Sequence, residues 1–129
     1  VVLIGDHGGY QSSLTAVERK LNREWAATPV RVHAVLQYYR ASEDAYKQAL
    51  KARGYRDDEI GIHAGLADAS LALAVDPRIV RADRLKDVPR AADGTYGDPR
   101  RASAELGELG VNAIVRETVE AIRQAVRRR

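Results

Sequence analysis

The feature that most constrains this chain is its opening, Val1-Val2-Leu3-Ile4 followed at once by Gly5-Asp6-His7-Gly8-Gly9. Four consecutive apolar residues, three of them β-branched, read as a strand buried on both faces, the kind found in parallel sheets. The run stops at Gly5, and glycine on either side of the Asp-His pair lets the backbone approach a ligand closely. Open α/β sheets gather their polar groups at the carboxyl ends of strands. His7 is therefore the first candidate functional residue, with Asp6 beside it. The chain contains no methionine and starts on a strand that needs covering. This predicts an N-terminally truncated domain whose upstream part packs against residues 1–4.

Leu14, Val17, Leu21 and Trp25 follow at helical spacing, with Ser12 and Ser13 as early-turn or capping residues. The N-terminus of that helix points its free N–H groups at the His7 loop and favours an anion there. Val30-Arg31-Val32-His33-Ala34-Val35-Leu36 reads as a second strand with Val30, Val32, Ala34 and Leu36 on one face and His33 structural. Gln37, Tyr38 and Tyr39 fall at its carboxyl end. A second helix opens at Ser42-Glu43-Asp44 and closes at Gly54, with Ala45, Tyr46, Ala49 and Leu50 on its apolar face. Strand, helix, strand, helix predicts βαβ units and a mainly parallel sheet in one α/β domain over residues 1–129.

Arg56-Asp57-Asp58-Glu59 reads as a solvated charged loop. Next comes Ile60-Gly61-Ile62-His63-Ala64-Gly65-Leu66-Ala67-Asp68-Ala69-Ser70, again a histidine among small residues, read as a strand end, with a helix from Leu66 to Val75. Residues 77–97, with Pro89, Gly94 and Gly97, read as an irregular loop. Asp98-Pro99 is a helix start, with Asp98 as the cap. A helical stripe from Leu106 to Val126 follows, and Gly107 and Gly110 cost it about 1 kcal/mol each and are expected to bend or break it.

Bulk composition excludes several functions. There is no cysteine, hence no disulfide, thiolate nucleophile or Cys-based zinc site. The net charge of +3 is accounted for by Arg127-Arg128-Arg129 alone. The balanced body lacks the basic stripe of a nucleic-acid binder, so no nucleic-acid partner is expected. No apolar run approaches the ~18 residues of a membrane span and no signal-peptide pattern is present, so no membrane partner is expected; the compartment expected is cytoplasmic, with the periplasm as the alternative.

Three segments, in order, resemble the creatininase (creatinine amidohydrolase) family. Gly5-Asp6-His7-Gly8-Gly9-Tyr10 stands for the family's Asn-Gly-His-Gly-Gly-Asn. His63-Ala64-Gly65-Leu66-Ala67-Asp68-Ala69-Ser70 stands for His-Ala-Gly-Glu-x-Glu-Thr-Ser, and Gly97-Asp98-Pro99 for Gly-Asp-Pro, with Ala102 and Gly107 downstream. The resemblance implies a three-layer α/β/α sandwich and a divalent metal, Zn or Mn. It implies hydrolysis of a C–N bond in a small cyclic or linear amide, and homo-oligomers of the full-length protein.

In that scheme His7 matches a metal ligand, and Asp6 is placed at the metal with it, helix capping being its simpler role. His63 matches the histidine that moves a proton to the leaving nitrogen, chemistry an imidazole suits. Asp68 matches a site acid, against a helix first-turn acid as the plainer role. The sequence departs from the pattern at Tyr10, at Asp68, which is one methylene short, and at Leu66, where the family has glutamate. It also lacks the Glu-x-His pair and aspartate that the family supplies from its preceding half, so the chain alone is expected not to turn over substrate. Two other readings stand beside this one: a phosphate- or nucleotide-binding module, and a non-catalytic relative kept for assembly.

Overall fold

In the computed structural model, which describes residues 1–87 and 94–127, β1 (Val2–Leu3) and β2 (His33–Ala34) pair in parallel. Val2 lies opposite His33 and Leu3 opposite Ala34. Pro89 of the expected loop and Arg128 and Arg129 of the basic end lie outside the described residues. The chain divides into two compact units, Val1–Ser42 with the stretch from Ile114 on, and Glu43–Ala113.

In the first unit α1 (Gln11–Glu24) makes the crossover between the strands, as the βαβ pattern predicts. Its polar residues hold β2 in place. Asn22 donates to the Val32 carbonyl at 2.8 Å and accepts the Val32 N–H at 2.9 Å, and Glu18 accepts the Ala34 N–H at 3.2 Å. The expected capping by Ser12 and Ser13 is not seen. Instead a 3-10 turn, Gly8–Tyr10, precedes α1, and His7 caps it.

The opening strand is not buried. Val2 is 43% and Ile4 50% exposed. Hydrophobicity favours an extended run here, but burial needs a segment that covers it, and what the unit supplies leaves Val2 and Ile4 at the surface. β2 is also shorter than predicted. Its buried neighbours are Val32 and Val35, not an alternating set, and Val30 is exposed. The chain leaves the extended form at Leu36, so Gln37, Tyr38 and Tyr39 open a helix, α2 (Gln37–Ala41), rather than ending a strand. That helix continues through a π-turn, Ser42–Tyr46, into α3 (Lys47–Lys51). Glu43 and Asp44 therefore lie inside the helical stretch, not at its start. The ending is as predicted, with Gly54 at φ +85°.

The second unit is built on Tyr46, Leu50, Ile60, Leu66, Ala67 and Leu106. The charged segment read as a loop is a short helix, α4 (Asp57–Ile60), and Glu59 within it is buried. Glu59 takes a bidentate ion pair from Arg101, whose guanidinium also lies 4.4 Å from the Tyr55 ring centre. The Glu59 carbonyl accepts the Asp98 N–H at 2.9 Å, which fastens α4 to the segment before the last helix. Sequence gave no sign of this, because an ion pair 42 residues apart has no local signature.

α5 (Leu66–Val75) runs as expected. Asp98 is a cap, as expected, accepting the Arg100 N–H, but what it caps is the 3-10 turn Pro99–Arg101. The long helix α6 begins at Ala104 and continues to Arg127. It passes unbroken through Gly107 and Gly110, both buried. A side chain at Gly107 would meet the Ser70 carbonyl oxygen of α5, and one at Gly110 would meet Leu71 and Tyr46. Gly107 lets two helix backbones touch and Gly110 makes room for side chains; neither interrupts the helix.

Tyr46 is fully buried, and its hydroxyl donates to the Ala67 carbonyl at 3.2 Å. Burial, opposed by a hydrogen bond with Ser70 and reinforced by the charge of Asp68, pushes its pKa up to about 12. An acid whose folded pKa is raised adds stability that is complete below the unfolded value and lost as pH climbs to the folded one. Denaturant unfolding is therefore expected to show stability falling between pH ~10 and ~12 by up to about 3 kcal/mol. In Tyr46→Phe that portion of the alkaline loss should vanish; an unchanged profile would refute the assignment.

Candidate functional site

The first candidate loop is fastened almost wholly to itself. The His7 Nδ1 accepts the Gly9 N–H at 2.9 Å, and the ring lies 5.3 Å from that of Tyr10. Gln11 donates to the carbonyls of Gly5 at 3.2 Å and His7 at 3.0 Å, closing the turn from its far side. On α2 the Tyr39 hydroxyl comes so close to Gly8 that a side chain there would meet it at 3.1 Å. Burial, and next to it the negative charge of Asp6, pushes the Tyr38 hydroxyl above its ordinary range. His7, Asp6, Tyr38 and Tyr39 thus border one loop.

The hydrogen bond to Gly9 fixes the chemistry of the His7 ring. An Nδ1 that accepts has no proton, so in neutral imidazole the proton sits on Nε2. In this arrangement neither nitrogen offers a free lone pair. A metal ligand needs one, ordinarily with the opposite nitrogen donating a hydrogen bond. Among the described residues, no three His, Asp or Glu side chains gather where they could hold a metal ion. The residues present do not fit a divalent cation.

The second loop lies in the other unit and is held by three glycines. Gly61 (φ +75°), Gly65 and Gly97 pack backbone to backbone; a side chain at Gly61 would lie 2.2 Å from the Tyr96 carbonyl oxygen. This contact brings His63 and Tyr96 into an antiparallel bridge rather than a strand end, correcting the expected strand before His63. The Ile62 N–H donates to the Tyr96 carbonyl and the Tyr96 N–H to the His63 carbonyl, both at 2.8 Å. The two rings meet edge to face at 5.9 Å. His63 is exposed on this fixed backbone.

Ala64 takes a positive φ of 49°, rare for a residue with a side chain, and its N–H donates to Asp68 Oδ2 at 2.9 Å. Asp68 thus anchors the turn that carries His63 from the first turn of α5. Asp68 is tied to the His63 turn through the Ala64 N–H, while Asp6 is the chain neighbour of His7 on the other loop. Sequence reading missed Tyr96, whose only signal was its place before the Gly97-Asp98-Pro99 segment.

A sequence profile of the creatininase family, described as creatinine amidohydrolase, matches residues 1–122. The chain belongs to the creatininase family. A solved structure of a mutant creatininase matches with a TM-score of 0.67 at 28% identity, over 96% of this chain and 55% of that one. The chain therefore spans little more than half the length of that creatininase. No curated protein matches it. A mostly helical chain with a small parallel sheet carries the creatininase fold here, and both histidine loops fall inside the matched residues.

Proposed function

We propose that the protein is an amidohydrolase of the creatininase type, hydrolysing a C–N bond of a small cyclic or linear amide with an activated water. One observation carries the reading: a family match over residues 1–122 that includes an exposed histidine, His63, on a backbone fixed by the Tyr96 bridge and the Asp68 anchor. Hydrolysis of an amide requires a proton for the departing nitrogen, and a positioned imidazole accepts and returns one. His63 is assigned that transfer. Asp68 positions it, by holding the Ala64 turn.

The family-type reaction is proposed to need a divalent metal, Zn or Mn, which His7, with Asp6 beside it, would join only once its ring has left the Gly9 N–H. Three further features are proposed with the activity: a larger α/β/α sandwich around β1 and β2, a homo-oligomeric assembly and a cytoplasmic location. Exposed Val2, Ile4, Val30, Val115 and Val119 supply apolar surface for the first two. Among the described residues no helix is long and apolar enough to cross a membrane.

The test is amine release from a panel of cyclic and linear amides, with Zn or Mn supplied, by the protein in the length in which the cell makes it. His63→Ala should lower turnover by about 10²–10⁴, and His7→Ala should lower the metal content. Absence of hydrolysis across the panel, or full activity in His63→Ala, would refute the reading. The first of those outcomes would favour a non-catalytic assembly relative. Leu66, at the family's glutamate position, is fully buried in the core of the second unit and so already serves packing rather than site chemistry.

A further inference from the structure

Beside the His63 loop, α5 and the segment that returns past it enclose an open cleft of about 350 Å³. All of its lining belongs to the second unit. Ala69 and Ala72 of α5 form a low floor, and Val80 and Leu85 supply an aliphatic wall. Into this surface come one anion, Asp68, and two cations, Arg81 and Arg84. Few polar groups against a small-residue apolar floor, at the lower end of the ~300–1,000 Å³ range of ligand pockets, make a site for a short molecule.

The charges are not equivalent. Arg84 faces Asp83 at 3.8 Å, so its charge is partly answered. Arg81 has no ion pair among the described residues. Asp68 gives Oδ2 to the Ala64 N–H, but a carboxylate has about four acceptor sites, and one hydrogen bond leaves most of them for a ligand. The lining therefore offers an acceptor beside the His63 turn, an aliphatic floor and a guanidinium, Arg81, that no acid among the described residues pairs with. A ligand that answers all three has an N–H donor at one end, a short carbon chain and a carboxylate at the other. A guanidinium holds a carboxylate through two parallel N–H···O bonds, which an uncharged group cannot reproduce at equal strength.

We propose that this cleft binds a short aliphatic amide bearing a carboxylate, with the amide N–H₂ donated to Asp68 and the carboxylate held by Arg81. Naming an amide rests on the hydrolase reading above; the binding itself does not. The placement sets the scissile carbonyl next to the turn that carries His63 and makes Arg81 the residue that selects acidic over neutral amides.

The experiment is calorimetric titration of the protein with succinamate and, separately, with the uncharged succinamide. Succinamate is expected to bind at least about tenfold more tightly. Arg81→Gln should abolish that preference, bringing the two affinities to within about twofold of each other. Arg81 is exposed, so the variant is expected to fold, and circular dichroism checks this. Equal affinity for the two ligands, a preference that survives Arg81→Gln, or no binding of succinamate up to about 10 mM would each overturn the proposal. Arg81-dependent binding without hydrolysis of any amide would refute the hydrolase reading alone. Hydrolysis of neutral amides with no binding of succinamate would refute the cleft alone.

Discussion

Gly107→Ala is expected to destabilise the protein by about 3 kcal/mol or more, although intrinsic propensity argues for the opposite sign. Inside a helix alanine is favoured over glycine by about 1 kcal/mol, and Gly107 is the fourth residue of α6. The added carbon would fall 1.9 Å from the Ser70 carbonyl oxygen and 2.8 Å from the Ala74 Cβ. A backbone oxygen in the middle of α5 has no rotamer by which to withdraw. The two helices would have to part, opening space around Leu66 and Tyr46, which are fully buried, and a close-packed interior does not absorb such a shift cheaply. With total stabilities of about 5–15 kcal/mol for ordinary domains, a loss of this size is a large fraction of the whole. Urea unfolding of the variant beside the wild type measures it. A variant as stable as the wild type would show that α5 and α6 do not meet at this residue.

Gly61→Ala is expected to dismantle the His63 loop. Gly61 combines φ +75° with ψ −177°, a region essentially reserved for glycine, so strain alone costs about 1–3 kcal/mol. The new Cβ would also lie 2.2 Å from the Tyr96 carbonyl oxygen and 2.7 Å from the Gly97 Cα. That carbonyl is the acceptor for the Ile62 N–H, and the adjoining Tyr96 N–H is held by His63. Separating the two bridged segments breaks both bonds and frees the histidine. The expected result is rapid exchange of the Tyr96 amide hydrogen and loss of any activity that depends on His63. Gly54→Ala is a fitting control, because Gly54 also has a positive φ, +85°, but has nothing within 4 Å of an added Cβ. It should show strain alone. Retained protection of the Tyr96 amide in Gly61→Ala would contradict the proposed basis of the loop.

Both glycines show how a residue type can be legible while its reason is not. Gly107 reads locally as a weak point in a helix and proves to be a contact between helices. Glu59 reads as one of four solvated charges and is instead the buried half of an ion pair with Arg101. Leu66 reads as a departure from a family acid and turns out to fill the core. In each case the deciding neighbour is distant along the chain, and no window of sequence contains it.

The sequence by itself determined the local and the ordered. Apolar spacing set α1, α5 and the long stripe of α6; the strand–helix–strand order set the parallel pairing of β1 with β2; three short segments in fixed succession set the family. These follow from periodicity, turn chemistry and motif order, which are properties of neighbours. It took the packing of the chain to leave Val1, Val2 and Ile4 exposed, to turn the His7 lone pair to the Gly9 N–H, and to hold the backbone of His63 against Tyr96. Burial and hydrogen-bond partnership are relations between segments, settled by which surfaces meet and which polar groups must find one another, and that is a matter of packing rather than of pattern.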